Sequence, residues 1–166
     1  VEKGQAESLS INDLICFAVI RALKKHPMAN CHFLGDTMKV FKKVHLGLAV
    51  DTERGLMVPT VKNADDFSIF GLASQIKALA SDSASFTISN LGAYGVEMFT
   101  PVINLPQVAI LGVNTIINRP VDLGNGVFGF VPYLGLSLTY DHRALDGAPA
   151  SVFLRDIKIE IENLTL

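Results

Sequence analysis

A strand, a loop and a helix follow one another in YLGLSLTYDHRALDGAPASVFLRDIKIEIEN, residues 133–163. Tyr133 to Tyr140 is predicted to be a strand, and residues 141–147 a loop that presents side chains on a rigid base. From Gly147 to Asn163 the chain is predicted to form an amphipathic helix. Its apolar positions, near helical spacing, are Val152, Phe153, Ile157, Ile161 and Leu164.

The first helix is predicted at the start of the chain, from Ser8 to His26. Ser10 can cap it, because Asp13 stands three residues later in the arrangement of a capping box, and Pro27 follows its end. Apolar residues occur on nearly every side of this segment. The helix should therefore be almost wholly buried.

Strand patterns fill most of the chain between these two helices. From Met38 to Val61, alternating apolar residues, a turn at Arg54-Gly55 and a returning apolar segment indicate a hairpin. The run at residues 108–113 is continuously apolar, so we expect that strand at the centre of the sheet. Further strands are predicted at Phe86–Ser89 and Val127–Phe130.

A second helix, capped by Asp65, Asp66 and Ser68, is predicted to run to about Ala80. Helices at the start, middle and end of the chain would then pack against about six strands. The sequence therefore predicts an α/β fold, a two-layer sandwich with a mixed β-sheet.

The composition is that of one globular domain. Of the 166 residues, 49% are apolar and 18% are charged, and the net charge is −2. Because there is no basic excess and no apolar stretch of the roughly 20 residues that a spanning helix needs, no nucleic-acid or membrane partner is expected. The apolar content favours a surface that continues into a subunit interface, although a compact core would also account for it.

Cysteine and histidine usage indicates neither disulfides nor a metal site. Cys16 lies in an apolar helical run and is interpreted as a small buried hydrophobe. Without a disulfide framework, a reducing compartment is favoured. No metal is expected, because no metal-ligand pattern with a carboxylate or thiol surrounds His26, His32 or His45.

The loop of residues 141–147 carries the groups best suited to chemistry. A histidine side chain titrates close to neutral pH, so His142 can take and return a proton there. Asp146 can cap the helix that follows. Taken alone, a histidine beside an aspartate favours a structural or surface role over a catalytic one.

Three blocks of the sequence resemble the dihydrolipoamide acyltransferases of 2-oxo-acid dehydrogenase complexes. The first is Asp141-His-Arg-x-x-Asp-Gly147, which looks like the signature of that family. The second joins SFTISNLG at residues 85–92 to FTPVINLPQVAILG at residues 99–112, and the third runs from GLAVD to GLMVP at residues 47–59. The blocks follow the order that the family uses, and the resemblance covers nearly the whole chain.

The resemblance implies a chloramphenicol-acetyltransferase-like fold and a single acyltransferase catalytic domain over residues 1–166. It implies transfer of an acyl group from a dihydrolipoyl thioester to coenzyme A, with closest similarity to the acetyl branch of pyruvate dehydrogenase complexes. The implied partners are a homotrimer built into a larger core, a lipoyl domain outside this sequence and the dehydrogenase subunits. The implied compartment is the bacterial cytoplasm or the mitochondrial matrix.

The family's motifs also imply roles for residues, in active sites that lie between subunits. Its histidine is the general base and its serine stabilises the oxyanion; the matching positions are His142 and Ser89, and Asp146 would help to fix the histidine loop. These residue types suit the chemistry. A coenzyme A thiol is mostly protonated at neutral pH, and the charge that develops on the thioester oxygen calls for a hydrogen-bond donor.

Ser89 could instead be a nucleophile, since a serine, a histidine and an aspartate also occur together in hydrolases. The G-x-S-x-G elbow is missing, however, because Ile88 precedes Ser89 and Asn90 follows it. The resemblance therefore favours direct transfer without an acyl-enzyme.

Three residues are candidates for binding the substrates. Arg143 could contact a phosphate of coenzyme A, or it could form an internal ion pair with Asp141 or Asp146. Asn90 and Tyr94 could line the path of the pantetheine arm or the acyl group.

The sequence departs from the family in two respects. The N-terminal arm and the lipoyl and subunit-binding domains are not in it. The stretch between Ala80 and Phe86 is also shorter than usual, because a lysine- and glycine-bearing loop that ends the helix, near residues 80–81, is missing. Two alternative functions remain, a non-catalytic core scaffold and a chloramphenicol-type acetyltransferase. A scaffold has no use for His142 and Ser89, and the second family carries another histidine where Asp141 stands.

Overall fold

The computed structural model describes residues 9–53, 55–77, 80–81 and 83–164. Within these residues the α-helices are α1 (Ile11–Lys25), α2 (Ile69–Lys77) and α3 (Gly147–Glu162), none of them long and apolar enough to cross a membrane. The strands in the same residues are β1 (Cys31–Phe33), β2 (Met38–Val40), β3 (Leu46–Thr52), β4 (Gly55–Met57), β5 (Pro59–Val61), β6 (Ala80–Ser81), β7 (Phe86–Asn90), β8 (Ala109–Asp122) and β9 (Phe128–Tyr140).

One mixed sheet contains seven of these strands. Its order is β6-β5-β3-β7-β8-β9, with β4 paired to the C-terminal end of β3, while β1 and β2 form a separate hairpin. Strands β3, β7 and β8 run parallel to one another, and the remaining pairs are antiparallel. Residues 109–113 of the apolar strand predicted at residues 108–113 form the start of β8. This strand lies inside the sheet, between β7 and the edge strand β9, so its predicted central placement is confirmed only in part.

All three helices pack on one face of this sheet. Successive strand residues point to opposite faces. On β7, Phe86 and Ile88 join the buried cluster that includes Leu23 of α1, Leu72 of α2 and Phe153 of α3. We name this side the helix face and the opposite side, on which none of these helices packs, the open face. The predicted two-layer α/β sandwich is confirmed.

Helix α1 begins with the predicted capping box. The backbone N–H of Asp13 donates to Oγ of Ser10 at 3.1 Å, and the Asp13 carboxylate accepts from the backbone N–H of Ser10 at 2.8 Å. The helix begins at Ile11, and Ser8 lies outside the described residues. Eight of its 15 residues are buried, so the prediction of an almost wholly buried helix is wrong. Ile11 at its start is 56% exposed, and Arg21, Lys24 and Lys25 near its end are also exposed.

The predicted hairpin is present between β3 and β4, where Thr52 pairs with Gly55. Arg54, predicted in its turn, lies outside the described residues. The returning segment is divided into two strands. After Met57 the chain leaves the C-terminal end of β3, and β5 pairs with the N-terminal end of the same strand.

Helix α2 was predicted to run to about Ala80, and this is wrong. The helix ends at Lys77, and Ala80 and Ser81 pair with β5, where the free edge of that strand provides hydrogen-bond partners. The sequence predicted a longer helix because an edge pairing of two residues leaves no periodic pattern.

The caps predicted for α2 are confirmed only in part. Ser68 accepts from the backbone N–H of Gly71 at 3.2 Å. Asp65 instead accepts from the backbone N–H of Val44 at 2.9 Å, and Asp66 forms an ion pair with Lys43. These two carboxylates therefore tie the segment before α2 to the strand region rather than capping the helix.

The two strands predicted at residues 127–130 and 133–140 form a single strand, β9. Pro132 lies inside it, which is tolerated because β9 is the outermost strand and one of its edges is unpaired. Strand β8 likewise extends to Asp122, well past the predicted end at Val113, as a two-stranded ribbon with β9. Pro120 fits there because β7 ends beside Val113 and leaves the edge of β8 free.

Both cysteines are buried free thiols. Burial raises the pKa of the Cys16 thiol to about 12 and that of the Cys31 thiol to about 11. Thiols so shifted stay protonated near neutral pH, which makes them poor nucleophiles. The interpretation of Cys16 as a small buried hydrophobe is confirmed.

Candidate active site

Ser89 lies on the open face near the end of β7. It pairs with Gly112 on β8, which pairs with Ser137 on β9, so the three residues form one row across the sheet. The preceding residue, Ile88, points to the helix face and is 1% exposed, whereas Ser89 is half-buried. The fold thus presents the Ser89 side chain on the face that lacks a helix layer.

Gly112 brings the two halves of the second motif block together. A Cβ at residue 112 would lie 3.0 Å from the Phe99 ring and 3.1 Å from Pro101. The segment that contains Phe99 and Pro101 therefore passes closely over the open face beside Ser89. A larger residue at position 112 would push this segment away from the row.

Asp141 holds the turn that follows β9. Its backbone N–H donates to the carbonyl of Val108 at 2.8 Å, and its own carbonyl accepts from the backbone N–H of Ala144 at 3.0 Å. Its carboxylate binds Arg143 at two points, with Nη2–Oδ2 at 2.7 Å and Nε–Oδ1 at 3.0 Å. The hydrogen bonds from Arg143 lower the pKa of the Asp141 carboxyl.

Arg143 is therefore engaged within its own chain. Of the two ion-pair partners predicted for it, Asp141 is the one observed. The guanidinium also lies over the Phe33 ring, 4.6 Å from its centroid, a distance typical of a cation–π contact. The role of Arg143 in coenzyme A binding stays a prediction.

His142 lies on the exposed side of this turn. Its Nδ1 is 3.7 Å from Oδ1 of Asp146, within the range of an ion pair and too long for a hydrogen bond. The two side chains are 71% and 83% exposed. Asp146 occupies the N-cap position of α3 as predicted, but its side chain makes no capping hydrogen bond, so its carboxylate can orient the imidazole.

Ser89 and His142 do not meet within one chain. Ser137 is in the row of Ser89, and Asp141, whose backbone N–H binds the carbonyl of Val108, lies four positions further along the chain, about 13 Å along the strand. Strands β7 and β9 are two spacings apart, about 10 Å. One chain therefore cannot place both side chains on one substrate carbonyl.

The Asn90 side chain points away from the open face, toward α1. The Asn90 side chain donates to Oδ1 of Asn12 on α1 at 3.0 Å and accepts from the backbone N–H of Gly92 at 2.9 Å. Asn90 also lines a cavity of about 260 Å³ beside the start of α1. Tyr94 is 69% exposed in the turn after β7. Asn90 therefore points to the face opposite Ser89, and the substrate contacts of Asn90 and Tyr94 stay predictions.

Two polar residues that the sequence reading did not single out lie on the open face. Among the described residues, Oδ1 of Asn114 and Oγ1 of Thr139 are buried atoms without a hydrogen-bond partner. Asn114 follows Gly112 by two residues on β8, and Thr139 follows Ser137 by two on the antiparallel β9, so they flank the Ser89 row on opposite sides. The sequence signal for Asn114 is a polar residue directly after a continuous apolar run.

The histidines outside the loop have internal partners. In the described residues, no group of three or more His, Cys, Asp or Glu side chains is placed to hold a metal ion. The observed pairs are His26 with the carboxylate of Asp156 at 2.7 Å, His32 with the carbonyl of Ala84 at 2.8 Å, and His45 with the backbone N–H of Asn63 at 3.2 Å.

Two segments each carry several exposed apolar side chains. In the loop that leads to Gly112, Met98, Val102 and Leu105 are 76–86% exposed. Apolar surface of this extent is typical of an interface. The ribbon of β8 and β9 and its turn carry a second exposed set: Ile116, Leu123, Val127, Phe128, Phe130, Val131 and Tyr133.

The whole chain matches one protein family. Residues 1–166 match the model described as 2-oxoacid dehydrogenases acyltransferase (catalytic domain). The chain is 43% identical over 182 residues to the dihydrolipoyllysine-residue acetyltransferase component of the pyruvate dehydrogenase complex of Acholeplasma laidlawii, and 37% identical over 173 residues to that of the acetoin cleaving system of Bacillus subtilis. These matches cover 99% and 97% of this chain but 33% and 43% of the relatives, so the chain spans less than half of their length.

Solved structures share the fold. The dihydrolipoamide acetyltransferase of Azotobacter vinelandii, studied for the catalytic roles of a serine, a histidine and an asparagine, has a TM-score of 0.88 and 35% identity over 95% of this chain and 70% of that chain. The cubic core of a pyruvate dehydrogenase multienzyme complex has a TM-score of 0.85 and 37% identity, with the same coverage. A chloramphenicol acetyltransferase has a TM-score of 0.63 and 16% identity over 92% of this chain and 78% of that chain. At this identity the likeness confirms the predicted fold and nothing beyond it.

Proposed function

Because this chain belongs to the 2-oxoacid dehydrogenase acyltransferase family, we propose that it transfers an acetyl group between a dihydrolipoyl thiol and coenzyme A. The observation that carries the proposal is that both motif residues are presented for chemistry, His142 on an exposed turn and Ser89 on the open face. The acetyl group is favoured because the two curated relatives described above are both named acetyltransferases.

The chemistry assigns one role to each side chain. Nε2 of His142 removes the proton from the coenzyme A thiol, and the thiolate adds to the carbonyl carbon of the acetyl-dihydrolipoyl thioester. Ser89 donates a hydrogen bond to the negative oxygen of the tetrahedral intermediate. When the intermediate collapses, the carbon–sulfur bond to the lipoyl arm breaks, and the protonated His142 returns its proton to the departing sulfur.

Asp146 supports the histidine from its Nδ1 side. A carboxylate 3.7 Å from Nδ1 favours the tautomer that carries a proton there and leaves Nε2 free as the base. In the Azotobacter vinelandii enzyme, the histidine and the asparagine that were studied are four positions apart, as are His142 and Asp146 here. A short shift of the exposed side chain would bring the two groups into hydrogen-bond range.

We also propose that the site is completed between chains, with His142 of one chain facing Ser89 of its neighbour in a trimer. The separation of the two residues within one chain supports this arrangement. So does the exposed apolar surface of residues 98–105 and of the β8–β9 ribbon, which an assembly would cover. An obligate interface of this kind buries more than about 2,000 Å² in total.

The proposed partners follow from the proposed reaction. A lipoyl domain would bring the acetylated arm to the site, coenzyme A would accept the acetyl group, and dehydrogenase subunits would supply and reoxidise the lipoyl group. The curated relatives are named as components of a pyruvate dehydrogenase complex and of an acetoin cleaving system. Either setting delivers an acetyl group.

An acetyl-transfer assay tests the activity. The purified protein is given acetyl-CoA with dihydrolipoamide, and the products are identified by mass spectrometry. We expect S-acetyl-dihydrolipoamide and free coenzyme A, and no acetylation when chloramphenicol replaces dihydrolipoamide. An assembled protein that transfers no acetyl group would indicate a non-catalytic core scaffold. Preferential acetylation of chloramphenicol would indicate a chloramphenicol-type acetyltransferase.

Mixing two inactive variants tests the shared site. Chains carrying His142→Ala and chains carrying Ser89→Ala are co-expressed with different affinity tags, and mixed trimers are purified through both tags. We expect partial recovery of activity, because some interfaces regain one intact pair. Mixed trimers as inactive as each variant alone would contradict the shared site, as would a fully active monomer.

A further inference from the structure

The segment that leads from β7 to β8 has an inward and an outward side. Met98 and Val102 are 83% and 86% exposed, whereas Phe99 is half-buried and Pro101 is buried. Exposure thus alternates along this segment. Phe99 and Pro101 form the side that faces the sheet.

The Phe99 ring contacts the sheet at Gly112. Leu111 and Val113 of β8 belong to the buried cluster on the helix face, so Gly112 between them points to the open face. A Cβ at this glycine would lie 3.0 Å from Cζ and 3.2 Å from Cε1 of the ring. The ring would have to move to admit a larger residue, so the glycine allows an aromatic ring to lie directly on β8.

This ring is next to the proposed oxyanion donor. Ser89 pairs with Gly112, and neighbouring strands lie about 4.8 Å apart. On its other side Ser89 pairs with Ala49 of β3, which is half-buried. The Phe99 ring therefore bounds the space over Ser89 on the β8 side, whereas the side chain of the β3 partner is only a methyl group.

Contacts on both sides of Phe99 hold the segment that carries the ring. The backbone N–H of Thr115 on β8 donates to the carbonyl of Val96 at 2.8 Å, three residues before Phe99. After the ring, Cδ of Pro101 lies 3.1 Å from the position that a Cβ at Gly112 would take. A side chain held in this way can form a fixed wall of a binding pocket.

A thioester bound at Ser89 has one short end and one long end. Beyond the carbonyl carbon, an acetyl group has only a methyl group, whereas the sulfur leads to a long arm that has to leave the site. Burying the apolar methyl group against an aromatic ring is favourable, and the arm requires an open direction. The Phe99 side of Ser89 therefore suits the acyl group.

We propose that the Phe99 ring is the wall of the acyl pocket and limits its length, so that an acetyl group fits between the ring and Ser89 and a longer acyl group does not. The inference rests on the proposed acetyl transfer and adds to it a residue that determines acyl specificity. A longer acyl group would have to displace a packed ring, which is unfavourable.

The experiment compares Phe99→Ala and Phe99→Leu with Phe70→Ala, a matched change at a phenylalanine of α2 that is 52% exposed. The kcat/KM for acylation of dihydrolipoamide is measured with acetyl-CoA, propionyl-CoA and butyryl-CoA. The ratio of the butyryl to the acetyl value is taken within one preparation. This ratio does not depend on the fraction of a variant that is folded and assembled.

The wild type and Phe70→Ala are expected to prefer the acetyl group to the same extent. In Phe99→Ala the ratio should rise about 10- to 100-fold, because one methylene group in an apolar pocket changes kcat/KM by about tenfold or more. Phe99→Leu should lie between the two, because leucine removes only part of the ring. Faster butyryl transfer in Phe99→Ala than in the wild type would distinguish a longer pocket from a simple loss of acetyl transfer.

Three results would overturn the inference. The first is an unchanged ratio in both Phe99 variants of an active enzyme, even if both rates fall. The second is a wild type that transfers butyryl as well as acetyl groups, which would show that the pocket has no such limit. The third is a wild type that transfers no acyl group, which would overturn the proposed function as well and is recognised before any variant is made.

Discussion

The two faces of the central sheet differ in what covers them. The helix face is closed by the chain itself: Phe86 packs against Phe153 with ring centroids 5.7 Å apart, and the buried carboxylate of Glu160 binds Arg21 at 2.8 Å and Lys25 at 2.6 Å. The open face carries Ser89 and buried polar atoms without partners, next to exposed apolar segments. One face is covered by helices of the same chain, and the other is the face on which we propose that a neighbouring chain and the substrates bind.

The contrast shows how one strand serves stability and chemistry together. Ile88 and Ser89 are neighbours in sequence, yet alternation along β7 places Ile88 in the core and Ser89 at the site. The rigid packing behind β7 fixes the position of the serine without contacting any substrate. Changes on the open face should therefore alter turnover, and changes on the helix face should alter stability.

The largest effect is expected from His142→Ala, in the exposed turn that follows β9. Turnover should fall by about 10² to 10⁴-fold, because the general base is lost. The mass of the assembly and the free energy of unfolding should stay unchanged, because the side chain is 71% exposed. Steady-state kinetics and the mass of the assembly test this. The matched histidine change His26→Gln, in the α1–α3 contact, should leave kcat unaltered. Retention of more than half of the activity in His142→Ala would show that the base is another group.

Ser89→Ala is expected to lower turnover by about 10² to 10³-fold with little change in the KM for coenzyme A, since the oxyanion donor acts in the transition state. The control is Ser151→Ala on α3, where the hydroxyl donates to the carbonyl of Gly147 in the same helix. Detection of an acetyl ester on Ser89 by mass spectrometry would instead identify the serine as a nucleophile.

Ile88→Ala, one position away, tests the other face. Removing this core side chain should lower the free energy of unfolding by about 2 to 5 kcal/mol, measured by denaturant titration. The kcat per folded, assembled chain should stay within a few-fold of the wild type. If Ile88→Ala lost as much turnover as Ser89→Ala while still fully folded, the division between the two faces would be wrong.

The smallest effect is expected from Asp141→Asn in the turn before His142. Arg143 lowers the pKa of Asp141, so this carboxylate stabilises the fold above the ordinary aspartate pKa, and the contribution is lost as the pH falls through the lowered value. The variant should therefore be less stable than the wild type at neutral pH and equal to it in strong acid. Exposed ion pairs contribute about 1 kcal/mol or less. The control is Asp36→Asn, at an exposed aspartate. A difference in unfolding free energy between Asp141→Asn and the wild type that does not change with pH would contradict the role of the charge.

Local sequence determined the elements and motifs that depend on neighbouring residues. The capping box of Ser10 and Asp13 and the amphipathic α3 could be predicted because their contacts lie within a few residues. The loop with His142 and the strand with Ser89 could be found because both belong to contiguous motifs. The family followed from these motifs, and residues 1–166 match it.

The tertiary structure alone decided the features that depend on pairing between distant segments. Pro132 lies within a long strand because β9 is at the edge of the sheet, and Asn90 turns to α1 although Ser89 beside it faces the other way. The Asn114 side chain packs against Gly135 because a bulge of β8 faces that glycine on β9. Register and strand order set these positions, and both arise from contacts far apart in the chain that no local pattern records.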